Sequence, residues 1–90
     1  MPLFTFLLEY EGGTYVSQVS AASPNLAPKA WAEGLDWAGV WKSEPLSKDE
    51  LVDAMQSSVP TPINGVKHTW CCAALLNGHT ALIHFIQTAE

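Results

Sequence analysis

The sequence predicts an α+β fold in which two helices pack on one face of an antiparallel sheet of about four strands. Three observations favour this fold: an alternating apolar segment that ends at Gly12-Gly13, two short helix signals in mid-chain, and Asn77-Gly78 between two apolar runs. The predicted order of elements is ββααββ. Ninety residues are enough for one two-layer core, so we expect a single domain over residues 1–90.

The first hairpin is predicted from Leu3–Glu11, where every second residue is large and apolar. A two-residue turn at Gly12-Gly13 would pair Tyr10 with Tyr15. Seven residues then share one face and are expected in the core: Phe4, Phe6, Leu8, Tyr10, Tyr15, Val19 and Ala21. The other face is mostly polar, so the two strands agree on the side that is buried.

A first helix is predicted after this hairpin. Asn25 is a suitable N-cap, and Pro28 falls within the first turn, where a missing N–H does no harm. The helix is expected to end at Gly34 or at the following Leu35-Asp36 step. Its apolar stripe contains Ala27, Ala30, Trp31, Gly34 and Leu35.

A capping box predicts the second helix. Ser47-Lys48-Asp49-Glu50 has the required spacing, and Leu46 and Leu51 are placed as a hydrophobic staple. We therefore expect a helix from Lys48 to about Ser57. The apolar stripe of this helix is thin and consists of Leu51, Val52, Ala54 and Met55. The proline-rich run that follows, Val59–Pro62, is predicted to be a stiff extended connection.

The second hairpin consists of His68–Leu76 and His79–Thr88, joined by Asn77-Gly78. Residues whose numbers sum to 155 should pair. One face is then apolar and contains the pairs Trp70–Phe85, Cys72–Ile83 and Ala74–Ala81. The other face contains the pairs Cys71–His84, Ala73–Leu82 and Leu75–Thr80.

Composition restricts the partners that this chain can have. Nine acidic residues against four lysines give a net charge of −5, and arginine is absent. Nucleic acid and anionic membranes are therefore poor partners. Met1–Leu8 has neither a basic start nor the length of a membrane span, and two adjacent cysteines suit a reducing compartment, so we expect a cytoplasmic protein.

A cluster of histidines and cysteines invites comparison with zinc sites. It comprises His68, Cys71, Cys72, His79 and His84. Zinc ligands usually come in tight pairs, whereas strand alternation sends the two cysteines to opposite faces of the sheet. We therefore predict no metal and no cofactor.

The Cys71–His84 pair is the candidate for chemistry. Directly opposed side chains on paired strands lie about 5 Å apart, close enough for an imidazole to activate a thiol. No glycine elbow, oxyanion hole or third orienting residue accompanies the pair. Buried thiols and histidines on an ordinary sheet are the simpler interpretation, and a small thiol-dependent enzyme is kept as the alternative.

Candidate partner-binding residues lie in two places. With both helices on one face, the other sheet face would expose Leu3, Leu7, Val16, Ala73, Leu75, Leu82 and Ile86. Trp37 and Trp41 lie in the loop between the helices, where they could either cap the core or bind a protein or a flat small ligand.

The segment Tyr10–Val16, followed by a helix with alanines and Trp31, resembles the opening of HicB-like antitoxins over about residues 4–35. The second half of the chain does not follow that family's pattern, and no functional residue carries over. We expect a non-enzymatic protein-interaction domain, antitoxin-like, immunity-like or an adaptor, that forms a homodimer or binds a protein partner. A thiol enzyme and a small-ligand binder remain the alternatives.

Overall fold

The computed structural model describes residues 1–10, 12–35, 47–76 and 78–90. Its elements are β1 (Leu3–Tyr10), β2 (Gly13–Ser20), α1 (Ala27–Gly34), α2 (Ser47–Ser57), β3 (Thr61–Pro62), β4 (Thr69–Leu76) and β5 (His79–Ala89). The strands form one antiparallel sheet in the order β2-β1-β5-β4-β3. The α+β class and the antiparallel sheet are thus confirmed.

The predicted strand count and element order need a correction. Thr61 and Pro62 pair with Cys71 and Trp70, so part of the predicted extended connection is a fifth, two-residue strand. The described order is therefore ββααβββ. Pro62 is tolerated here because an edge strand does not need every backbone N–H for pairing.

The predicted register of the first hairpin is wrong by two residues. Tyr10 pairs with Gly13 and Leu8 with Tyr15, so the turn begins one residue earlier than expected. An even shift leaves every side chain on its predicted face. Phe4, Phe6, Leu8, Tyr10 and Ala21 are accordingly buried, and Tyr15 and Val19 pack against them.

The register of the second hairpin is confirmed in full. Trp70 pairs with Phe85, and Cys71 pairs with His84. Strand β4 begins at Thr69 rather than at His68, which has a positive φ of 58°. Gly78, in the turn, has a φ of 81°, as the turn prediction requires.

Both predicted helices are present with small changes at their starts. The N-cap of α1 is Leu26 rather than Asn25, and no side chain caps the helix; Pro28 lies in the first turn, as predicted. Helix α2 begins one residue earlier than predicted and buries Leu51 and Met55. The predicted staple residue Leu46 lies outside the described residues.

The core lies between the helices and one face of the sheet, where aromatic rings stack across three strands. Phe6 stacks on Phe85 at 4.5 Å, and Phe85 stacks on Trp70 at 5.3 Å between ring centroids. Trp31 from α1 also stacks on Phe6, at 4.8 Å between ring centroids. Residues from both helices belong to this one cluster, so both helices cover the same face.

Candidate functional site

The sheet face opposite the helices, called here the open face, contains all seven apolar residues predicted for it. They are Leu3, Leu7, Val16, Ala73, Leu75, Leu82 and Ile86. Val16 is 63% exposed, Leu75 67% and Leu82 43%. Single exposed apolar residues are common, but a group on one sheet face is typical of an interaction surface.

The strand registers arrange this face in rows. One row crosses all five strands and contains, in order, Val16, Leu7, His84, Cys71 and Thr61. The next row contains Thr14, Glu9, Leu82 and Ala73. Directly opposed side chains in such rows lie about 5 Å apart, so Val16 adjoins Leu7 and Leu82 adjoins Ala73.

One end of the open face is polar and internally bonded. Gln18 Nε2 donates to Thr5 Oγ1 at 3.1 Å, and Thr5 Oγ1 lies 2.9 Å from Thr88 Oγ1. Thr88 Oγ1 also donates to the Leu3 carbonyl at 3.3 Å. Ile86 lies at this polar end, opposite Thr5, whereas Val16, Leu82 and Leu75 lie in the middle of the face and toward its other end.

A pocket of about 370 Å³ opens beside the first turn and was not anticipated from the sequence. Its lining includes Glu9, Tyr10 and Thr14 from the first hairpin, together with Thr80 and Leu82 from β5. No sequence motif marks it, because β1 and β5 are far apart in the chain and meet only in the sheet. The pocket adds a concave part to the open face.

The two cysteines have different surroundings. Cys71 and His84 are opposed on the open face, as predicted, and both are half-buried. Cys72 lies on the core side, where its thiol is 3.7 Å from Met55 Sδ. Burial raises the pKa of Cys72 to about 11, an effect that a hydrogen bond with Ser58 partly offsets. Cys72 is therefore a protonated, weakly reactive thiol at neutral pH.

Within the described ranges, no three histidine, cysteine or acidic side chains lie close enough together to hold a metal ion. None of the helices described is both long and apolar enough to cross a bilayer. Trp37 and Trp41, the predicted aromatic binding residues, lie outside the described residues. The site that the structure describes is therefore a surface built from β1, β2, β4 and β5.

Strand β2 forms one edge of the sheet, a position that the sequence did not reveal. Its eight residues, Gly13–Ser20, pair with β1 without a bulge and include no charged residue and no proline. The opposite edge is formed by the two-residue β3, which contains Pro62. A long, uncharged, regular edge strand is a template for pairing with another strand.

Comparison with protein-family models, with curated proteins and with solved structures finds no match to this chain.

Proposed function

We propose that this chain is a non-enzymatic, cytoplasmic protein-interaction domain that acts through its open face, as a homodimer or with a protein partner. The observation that carries the proposal is the exposure of four large apolar side chains on one face of the sheet, Val16, Leu75, Leu82 and Ile86. Each is at least 36% exposed on the same side of the sheet. Covering such a group removes apolar area from water, which is the main driving force of protein association.

The net charge of −5 supports a partner with a basic surface. Complementary charge raises the association rate more than it raises affinity. Glu9 lies in the row of Leu82 and supplies an acidic group within the open face. Antitoxin, immunity and adaptor roles all fit a small acidic domain of this kind.

A photo-crosslinking amino acid placed at Leu82 tests the proposal in cells. The matched control position is Val59, which is equally apolar and 81% exposed but lies outside the sheet. We expect a discrete crosslinked product, to a second copy or to another protein, at Leu82 and not at Val59. Absence of a product at Leu82, or the same products at both positions, would contradict the proposal.

A second candidate function, a thiol-dependent enzyme, is favoured by one observation, the cross-strand pairing of Cys71 with His84. An activated thiol would react with iodoacetamide faster than free cysteine at neutral pH. The rate should be measured in the Cys72→Ala variant, so that only Cys71 contributes, and again after His84→Gln. An alkylation rate that equals that of free cysteine and does not change after His84→Gln would exclude this candidate.

A further inference from the structure

We infer that the edge strand β2 pairs antiparallel with β2 of a second copy of this chain, so that two five-stranded sheets form one continuous sheet. This inference goes beyond the proposed function: it names a second copy as the partner and the β2 edge, not the open face, as the contact. A two-fold axis perpendicular to the sheet would place the helices of both copies on the same side and the two open faces side by side.

The first observation is that the residues of β2 itself lack the usual protective features of an edge strand. Natural edge strands are usually shortened, bulged, or interrupted by lysine or proline. Strand β2 keeps its register with β1 from Gly13 to Ser20 and has none of these features. Its four residues with side chains on the open face, Thr14, Val16, Gln18 and Ser20, are all exposed.

The second observation is the direction of the backbone groups. In an antiparallel pair, alternate residues direct both N–H and C=O toward the neighbouring strand. Ala21 N donates to Pro2 O at 3.1 Å, so the odd-numbered residues at this end of β2 face β1. Alternation then directs the N–H and C=O groups of Thr14, Val16, Gln18 and Ser20 outward. No strand of the described chain pairs with that side.

One register between the two copies pairs all of the outward N–H and C=O groups of β2. When residues whose numbers sum to 34 pair between copies, Val16 lies opposite Gln18 and Thr14 opposite Ser20 as hydrogen-bonded pairs. Ser17 then lies opposite Ser17 of the second copy, on the two-fold axis, as a non-hydrogen-bonded pair. On the helix side, Tyr15 lies opposite Val19, an aromatic and β-branched pair of the kind that stabilises sheets.

The uncharged composition of the β2 edge, rather than the net charge of the chain, favours a second copy as the occupant. Two chains of charge −5 repel each other, and like charges directly opposite on paired strands are destabilising. Strand β2 contains no charge, so self-pairing places no like charges opposite each other along the edge. A charged strand of another protein would find no complementary charge on β2.

Two double variants test the pairing by sedimentation velocity of the full chain. Val16→Lys with Gln18→Lys would place lysine opposite lysine twice across the two-fold axis. Val16→Lys with Gln18→Glu would place lysine opposite glutamate twice. Both variants lose the Val16 side chain from the open face and the Gln18 amide that bonds Thr5. They differ in the charge at position 18, and the Lys/Lys variant has a net charge of −3 whereas the Lys/Glu variant keeps −5, so the net charge alone would favour association of the Lys/Lys variant. Circular dichroism confirms that each variant is folded.

We expect the wild-type chain to be a dimer at micromolar concentration, the Lys/Lys variant a monomer, and the Lys/Glu variant a dimer again.

A disulfide experiment tests the same register. In a Cys71→Ser, Cys72→Ala background, Ser17→Cys should form an intermolecular disulfide on oxidation, and exposed Ser20→Cys should form far less of it. A monomeric wild type, or equal association of the two double variants, overturns the inference. If crosslinking at Leu82 persists in that case, the proposed function stands without the edge contact.

Discussion

The indole Nε1 of Trp31 donates a 2.8 Å hydrogen bond to Oγ of Ser17 and so joins α1 to the edge strand β2. The same indole is 2% exposed and stacks on Phe6 of β1 with an interplanar angle of 5°. One side chain therefore fixes the helix against two strands. Since β1 is the one strand neighbour of β2 among the described residues, this contact also holds the edge in place.

Replacing Ser17 with alanine should destabilise the fold. The Trp31 N–H would remain buried without its acceptor, which costs about 1–3 kcal/mol. The free energy of unfolding, measured by urea titration, should fall by that amount. Ser20→Ala, at an exposed position of the same strand, should change it by less than about 0.5 kcal/mol. Equal losses in the two variants would show that the indole bond contributes nothing.

Tyr10→Phe should weaken the contact between the two hairpins. The buried Tyr10 hydroxyl donates to the backbone carbonyl of Leu76 at 2.9 Å, from β1 to the end of β4. Loss of the hydroxyl leaves that carbonyl without this donor, and we expect a loss of about 1–2 kcal/mol in a thermal or urea unfolding experiment. An unchanged melting temperature would contradict this role.

Two glycine-to-alanine replacements should change the free energy of unfolding in opposite directions. Gly12 has a φ of 80° in the first turn, so Gly12→Ala should cost about 1–2 kcal/mol even though the space around it is open. Gly34 lies in α1, also with open space around it, and has no positive φ. Gly34→Ala should therefore stabilise the chain by about 0.5–1 kcal/mol. Paired urea titrations measure both, and a stabilising Gly12→Ala would be incompatible with this turn.

Cys72 should make stability pH-dependent in alkaline solution. Burial raises its pKa to about 11 in the fold, whereas the ordinary value is 9.0. As the pH rises, the unfolded chain loses this proton first, so the free energy of unfolding should fall between these two values. Well below the ordinary pKa of 9.0, the thiol is protonated in both the folded and the unfolded chain, so it does not make stability depend on pH. Cys72→Ala should show a shallower decline over the same window, and identical declines in the two proteins would contradict the effect of burial.

The two hairpins show what alternation can and cannot predict. Asn77-Gly78 strongly favours one two-residue turn, and the position of that turn determines the register between β4 and β5. At the first turn, Tyr10 could pair with Gly13, as observed, or with Tyr15, as expected from the sequence. Both registers keep the alternate apolar residues of β1 on the core side, so the hydrophobic pattern does not distinguish them. Gly13 leaves room for the ring of Tyr15 on the same strand, because a Cβ on Gly13 would lie 2.6 Å from the Tyr15 hydroxyl oxygen.

The open face could be predicted, whereas the sheet edge could not. Placing Leu82 or Val16 on a face needs only period two within one strand. The edge position of β2 depends on β1 pairing with β5, a long-range choice that no local pattern encodes. The short strand at Thr61-Pro62 could not be predicted from the sequence either, because a two-residue segment has no periodicity.

The central pairing of β1 with β5 has a consequence for how fast the chain folds. Leu3 pairs with Ala89, so the strands at the two ends of the described chain must meet before the sheet is continuous. Each hairpin can form from local contacts, but closing so long a loop is entropically costly. We expect the docking of the two hairpins, through Phe6 against Phe85, to limit the refolding rate.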